Sequence, residues 1–127
     1  MYHIEYEELF VIKKPNYSDH EVNKLKKREI SNYLNMNHPL IPKFIGKTKY
    51  NGYLIIEYIN GDTLNDINLS EFSKEDKIKI IFELLLIIQY LHSKEYVYRD
   101  LKPNNVIIDN NKTAILIDFD RMIKINH

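Results

Sequence analysis

The sequence predicts an α+β fold, with a sheet-rich first part and a second part that is led by one long helix. Short apolar runs rich in β-branched and aromatic residues, which are typical of strands, lie on both sides of a helical stretch in about the first half of the chain. A longer segment then has apolar residues at helical spacing, and two further short strand-like runs follow it.

The first part is predicted to begin with a strand and a helix. The apolar run LFVIK at residues 9–13 is typical of a strand, and Pro15 ends it. Ser18 and, three residues later, Glu21 match a capping box, so we expect a helix to follow as far as about Met36.

Two paired strands are predicted next, at residues 44–48 and 53–58. Between them stand Asn51 and Gly52, the residue pair typical of a type I′ hairpin turn. We expect the Asn-Gly-Asp sequence at residues 60–62 to form a turn and to link the two parts of the fold.

The second part is led by a helix that is predicted to run from Lys74 to about Ser93, with a capping signal at Ser73 and Asp76. Apolar residues cover much of its surface: Ile78, Ile81, Phe82, Leu85 and Ile88 on one face, widened by Ile80, Leu84, Ile87 and Leu91. So broad an apolar surface predicts burial on more than one side. The longest apolar stretch, residues 80–91, is too short to span a bilayer and too polar, because it contains Glu83, Gln89 and Tyr90.

Composition excludes several classes of function. The 127 residues carry 18 basic and 18 acidic side chains with a pI near 7.0, so nothing indicates binding to nucleic acid or to an anionic membrane. Cysteine is absent, which excludes disulfides, Cys-ligated zinc and thiol catalysis. The N-terminus lacks the order of a signal peptide, and we expect a cytoplasmic protein.

Glu29 is the first residue that physical reasoning alone singles out. It lies on the apolar face of the first predicted helix, where a carboxylate is costly to desolvate without a partner. Lys13, at the end of the preceding strand, is the natural candidate for that partner. The alternative is a glutamate at the edge of the face that reaches water, and the sequence favours neither.

The most informative segment is YRDLKPNN at residues 98–105, followed by the apolar run VII and, after a polar turn, by ILI and then Asp118, Phe119 and Asp120. This succession resembles the catalytic loop and the metal-binding loop of the eukaryotic protein kinase family, H-R-D-L-K-x-x-N and D-F-G. The pair Lys102-Pro103 resembles the branch directed at Ser and Thr. A chance match is a poor alternative, since upstream residues fit the same pattern.

The resemblance implies three catalytic residues and two metal ligands. Asp100 would accept or orient the proton of the substrate hydroxyl, and Lys102 would neutralise charge on the transferred phosphoryl group. Asn105 would bind the second Mg²⁺, while Asp118 would bridge the metals and the phosphates of ATP.

The resemblance also implies an ATP site. Lys13 would hold the α- and β-phosphates and pair with Glu29; we prefer it to Lys14 because it shares a strand face with Val11. Further expected contacts with adenine are the side chains of Val11 and Ile107, with Ile56 as gatekeeper, and the backbone groups of Glu57 and Ile59. Tyr33, Tyr98 and Phe119 are expected to stack between the two parts, although simple core packing is the safer interpretation of each apolar residue taken singly.

The implied architecture is a partial protein kinase fold: an antiparallel sheet with one regulatory helix in an N-lobe at residues 1–59, then the start of a helical C-lobe at 60–127. The sequence departs from the family pattern at three places. No G-x-G-x-x-G precedes Lys13, and residues 1–8 offer at most one strand. Asp120 replaces the glycine of D-F-G, where it would disfavour the phosphates or join the outer shell of the metal. Only seven residues follow Asp120 (127 − 120 = 7).

Three functional hypotheses follow. The first is a Ser/Thr protein kinase that transfers the γ-phosphoryl of MgATP to a protein hydroxyl, with little activity expected from this length of chain. The second is a pseudokinase-like binding module that docks a partner through the helix face at residues 78–91. The third is a non-functional kinase gene fragment. Expected partners are therefore proteins, and neither nucleic acid nor a membrane.

Overall fold

An antiparallel sheet of four strands forms the first part of the fold. In the computed structural model, which describes residues 2–5, 8–14 and 20–125, these strands are β1 (Tyr2–Glu5), β2 (Glu8–Lys13), β3 (Phe44–Lys47) and β4 (Leu54–Glu57). They lie side by side in the order β1-β2-β4-β3. Val11 of β2 is paired with Ile56 of β4, which fixes the register at the centre of the sheet. The predicted strands are confirmed.

The connection from β3 to β4 differs from the predicted type I′ turn. Such a turn needs positive φ at both central residues, but only Gly52, at φ 62°, has it, and Asn51 does not. The loop instead closes through Thr48, whose N–H donates to the Tyr53 carbonyl and whose own carbonyl accepts from the Gly52 N–H. The Thr48 hydroxyl also accepts from the Tyr53 N–H at 2.9 Å, and this side-chain contact favours a longer loop.

Helix α1 (His20–Leu34) follows β2 and places polar side chains against the core. Its inner face buries Glu29, Asn32 and Tyr33, whereas Leu34 points outward. The predicted cap at Ser18 lies outside the described residues. The helix ends two residues before the predicted limit, at a turn in which the Met36 N–H donates to the Tyr33 carbonyl.

Two small sheets organise the second part. One contains β5 (Gly61–Thr63), β7 (Val106–Asp109) and β8 (Ala114–Leu116) in the order β5-β7-β8. The other pairs β6 (Tyr96–Val97) with β9 (Ile123–Lys124).

The prediction of a turn at residues 60–62 is wrong, because Gly61 and Asp62 belong to β5. Gly61 is needed there for close approach to the neighbouring strand: a Cβ at this position would lie 2.1 Å from the Ile108 carbonyl oxygen. The glycine therefore marks tight contact between two strands and not a reversal of the chain.

Helix α2 (Lys74–Ser93) has the predicted bounds, and Ser73 and Asp76 form the expected capping box. One side of the helix is buried through Ile80, Ile87 and Leu91. Its other side is exposed in the described structure: Ile78, Ile81, Phe82 and Leu85 are 56–63% accessible. Among the described residues, no helix combines the length and the apolar character that crossing a membrane requires.

One continuous apolar core joins these elements. It extends from Leu54 and Ile56 of the first sheet, past Tyr33 of α1, to Leu91 of α2 and Leu116 of β8. Full burial of a side chain such as Leu91 contributes about 1.5–3 kcal/mol. The mixed architecture, with its antiparallel first sheet and one helix packed beside it, confirms the predicted α+β class.

Candidate functional site

Lys13, Glu29 and Asp118 meet at one point of the structure. Lys13 lies at the end of β2, and its Nζ is 2.9 Å from each carboxylate oxygen of Glu29. The same ammonium group donates to Oδ1 of Asp118. Lys14 is exposed, so the structure brings Lys13 and not Lys14 to this point. Of the two alternatives for Glu29, the ion pair with Lys13 is the one that forms.

Charge and burial act in opposite directions within this group. Burial lowers the pKa of Lys13, but the negative charges of Glu29 and Asp118 outweigh it, so that the pKa lies above its ordinary value. Burial raises the pKa of Glu29 although the adjacent ammonium opposes that shift. The ammonium therefore stays charged and ties two carboxylates together.

Two side chains of α1, Glu29 and Asn32, hold the segment that follows Asp118. Oε2 of Glu29 accepts from the Phe119 N–H at 2.8 Å. Nδ2 of Asn32 donates to the carbonyl oxygens of Phe119 at 2.6 Å and of Met122 at 3.1 Å. Sequence reasoning missed Asn32. The signal that was available is its position three residues after Glu29 on the buried face of the helix, where an amide needs partners.

Asp100, Lys102 and Asn105 form a second group. Nδ2 of Asn105 donates to the Asp100 backbone carbonyl at 2.8 Å and to Oδ2 of Asp100 at 2.9 Å. Nζ of Lys102 lies 3.8 Å from the other oxygen, Oδ1. The neighbouring Arg99 has a positive φ of 70° and donates from Nε to the Arg121 carbonyl. Asn105 is buried, so its amide fixes the orientation of the Asp100 carboxylate.

The hairpin of β7 and β8 brings the two groups together. Val106, directly after Asn105, is paired with Leu116, so Asn105 and Asp118 lie at the same end of the hairpin. The Ile117 N–H donates to the Asn105 carbonyl at 2.9 Å and extends this pairing by one bond. The predicted catalytic residues and predicted metal ligands therefore lie at the same end of the hairpin of β7 and β8.

Tyr33, Phe119 and Tyr98 form a continuous aromatic stack. The ring centroids of Tyr33 and Phe119 are 5.3 Å apart, and those of Tyr98 and Phe119 are 5.2 Å apart, both in edge-to-face geometry. The Tyr98 hydroxyl donates to the Ile117 carbonyl. The Tyr33 hydroxyl is buried and has no hydrogen-bond partner among the described residues. Burial, followed by the charges of Glu29 and Asp118, raises the pKa of Tyr33 well above its usual range.

The residues expected to contact adenine lie in both sheets. Val11 is on β2 opposite Ile56, whereas Ile107 is on β7 between Thr63 and Ile115. The Glu57 N–H already donates to the Lys43 carbonyl at 2.9 Å, and Ile59 lies beyond the end of β4. The adenine contacts of these residues stay a prediction.

The donor atoms suit a metal that takes few protein ligands. Both N–H groups of Asn105 point to Asp100, so its carbonyl oxygen is the atom left for a cation, and Asp118 already faces the cationic Lys13. Within the described part of the chain, no cluster of three or more His, Cys, Asp or Glu side chains suits a metal ion. One amide and one carboxylate fit Mg²⁺, which keeps water and phosphate ligands, better than a metal held by protein alone.

The family model of the protein kinase domain matches residues 1–127. The chain is 43% identical over 91 residues to the serine/threonine-protein kinase OXI1 of Arabidopsis thaliana, a match that covers 66% of this chain and 21% of the relative. It is 31% identical over 120 residues to an Aurora kinase of Debaryomyces hansenii, covering 91% and 29%. With the cAMP-dependent protein kinase catalytic subunit PRKX of Mus musculus it shares 36% over 88 residues, covering 66% and 25%. The chain thus spans less than a third of the length of these relatives.

Proposed function

We propose, because this chain belongs to the protein kinase family, that its site binds MgATP and transfers the γ-phosphoryl group to Ser or Thr hydroxyls of a protein. The observation that carries the proposal is the meeting of Lys13, Glu29 and Asp118 beside the Asp100–Asn105 pair. The relative OXI1 bears the name serine/threonine-protein kinase, which supports the choice of hydroxyl.

Lys13, Asn105 and Asp118 are proposed to hold the cofactor. When bound, MgATP supplies the transferable phosphoryl group and a metal ion that balances its charge. Glu29 accepts two contacts from Lys13 and thereby keeps the ammonium at the site, ready for phosphate oxygens. The carboxylate of Asp118 and the side-chain oxygen Oδ1 of Asn105 offer the hard ligands that Mg²⁺ prefers.

Asp100 and Lys102 are proposed to act on the reacting groups. Oδ2 of Asp100 is fixed by Asn105, which leaves Oδ1 to accept a hydrogen bond from the substrate hydroxyl and to orient it. Lys102, 3.8 Å from that oxygen, is placed to offset negative charge that develops on the transferred group.

Nucleotide binding by the purified chain tests the first half of the proposal. Calorimetric titration with MgATP is expected to show saturable binding. The Asp118→Ala variant is expected to lose the part of this binding that depends on Mg²⁺. Lys13→Ala is expected to weaken binding by roughly tenfold or more, because a charge-assisted contact is lost. Lys14→Ala is the matched control, since Lys14 is the adjacent, exposed lysine, and it is expected to bind as the wild type does.

Phosphoryl transfer tests the second half. Incubation of the chain with radiolabelled ATP and a mixture of basic proteins is expected to give phosphoserine or phosphothreonine. The Asp100→Asn variant is expected to form no product and still to bind nucleotide. Equal binding by Asp118→Ala, Lys13→Ala and the wild type would overturn the proposed site. Binding without transfer would instead support a nucleotide-binding module.

The exposed side of α2 favours a second candidate, a binding module that docks a protein partner. Ile78, Ile81, Phe82 and Leu85 form an apolar surface of a kind that marks interaction sites. Leu85→Asp is expected to remove partner binding and to leave MgATP binding unchanged, whereas Asp118→Ala should do the reverse. Within either candidate we keep the division into lobes at residues 1–59 and 60–127 as a proposal.

A further inference from the structure

Asn32 ties helix α1 to the backbone that follows Asp118. The residue is only 6% exposed, and its Nδ2 donates to the carbonyl oxygens of Phe119 at 2.6 Å and of Met122 at 3.1 Å. A carboxamide nitrogen has two N–H groups, and these two acceptors use both. With so little exposure, water does not compete effectively for either bond.

Glu29 completes a clamp on a single residue. Glu29 and Asn32 lie three positions apart on α1 and therefore face the same side of the helix. The first accepts from the Phe119 N–H at 2.8 Å, and the second donates to the Phe119 carbonyl. The two peptide groups that flank Phe119 are thus both held by one helix.

The clamp lies next to a backbone conformation that needs support. Asp118, the residue before Phe119, has φ of 61°, in the left-handed region that side-chain-bearing residues rarely adopt. Such a conformation persists where the surrounding contacts impose it. The bonds to Phe119 and Met122 supply that constraint immediately after Asp118.

Packing alone does not explain an asparagine at this position. An apolar side chain of similar size fills the same buried space without the cost of desolvating an amide. Within the described part of the chain, the two carbonyl groups that it holds compensate the N–H groups of the amide. Its role is therefore tied to where those carbonyl groups lie.

We propose that Asn32 is a positioning residue: by holding the carbonyl groups of Phe119 and Met122, it fixes the backbone at Asp118 and so the direction of the carboxylate offered to the metal. Asn32 itself contacts neither nucleotide nor metal. The inference rests on the proposed MgATP site, and it adds a residue that acts on that site from α1.

The test compares Asn32→Leu and Asn32→Asp with the matched control Asn35→Leu. Leu removes both donors at similar volume, whereas Asp keeps the shape and removes one donor when it is protonated and both when it is ionised. Asn35 directly follows the last residue of α1 and is exposed, and its side chain donates to the Ser31 carbonyl of that helix. For each variant we would measure binding of MgATP, binding of ATP in EDTA, and amide hydrogen exchange of residues 118–122.

Both Asn32 variants are expected to bind MgATP roughly tenfold more weakly, since one or both of the buried hydrogen bonds are lost. They are expected to bind metal-free ATP within about twofold of the wild type. Exchange at residues 118–122 should accelerate in both, and Asn35→Leu should match the wild type in all three measurements. Equal losses for MgATP and metal-free ATP would show a merely structural role and overturn the inference. If Asn32→Leu does not fold, the near-isosteric Asp variant decides.

Failure of the proposed function is distinguishable from failure of this inference. If the wild-type chain binds no MgATP, the proposed function is wrong for this chain, and hydrogen exchange alone then judges the positioning role. Faster exchange confined to residues 118–122 in both Asn32 variants would support it. Unchanged exchange there would overturn it, whatever the nucleotide result.

Discussion

Replacing Tyr33 by phenylalanine is expected to stabilise the protein. The Tyr33 hydroxyl is buried, the residue is 2% exposed, and no partner for this oxygen exists in the described structure. An unpaired buried hydroxyl costs about 1–3 kcal/mol, whereas the ring keeps its edge-to-face contact with Phe119 in the variant. We expect Tyr33→Phe to raise the free energy of unfolding by about 1 kcal/mol, which corresponds to roughly 3–5 °C in Tm for a chain of this size.

Tyr98→Phe is the matched control, because the same atom is removed from the other end of the same stack. Tyr98 is 3% exposed, but its hydroxyl donates to the Ile117 carbonyl, so its loss leaves a buried acceptor unpaired. We expect this variant to lose about 1–2 kcal/mol. Urea titration followed by circular dichroism measures both. A decrease in stability for Tyr33→Phe, or changes of the same sign in the two variants, would refute the reasoning.

Two further perturbations test the packing and the pH response. Gly61→Ala is expected to lower the free energy of unfolding in urea by more than about 2 kcal/mol, because the added Cβ meets the Ile108 carbonyl. Gly46→Ala, with no atom within 4 Å of its Cβ, should change it little. Equal losses in the two variants would contradict this prediction. Burial lowers the pKa of His38, whose Nδ1 accepts from the Leu40 N–H, so the folded state binds fewer protons and stability should fall as pH drops below about 6.5. His38→Asn keeps an acceptor that does not titrate and should flatten this slope in pH-dependent thermal unfolding; an unchanged slope would exclude His38 as its source.

Local signals were sufficient for the elements that depend on local interactions. The bounds of α2 were predicted because a capping box at Ser73 and regular apolar spacing both act within a few residues. Gly61 was misinterpreted because its function depends on Ile108, which lies far along the chain and on another strand. A glycine required for close contact and a glycine required for a turn look alike in a single sequence.

In the candidate site, too, some contacts could be predicted from the sequence and others could not. The contact between Lys13 and Glu29 could be anticipated, since a carboxylate on an apolar helix face needs a cation. The role of Asn32 could not, because its partners are backbone carbonyl groups and backbone groups have no identity in a sequence. The left-handed conformation of Asp118 was equally hidden, as it results from contacts on both sides of that residue.

Because Val106 pairs with Leu116, the distance between the candidate metal ligands does not depend on the length of the loop that joins their strands. Asn105 and Asp118 are set at one end of the hairpin, whereas the turn at residues 110–113 closes the other end through Asp109. Insertions in that turn would lengthen the far end, and both insertions and replacements would leave the near end in register. The turn is therefore the place where a tag, a reporter peptide or a fused domain can be introduced with the site kept intact.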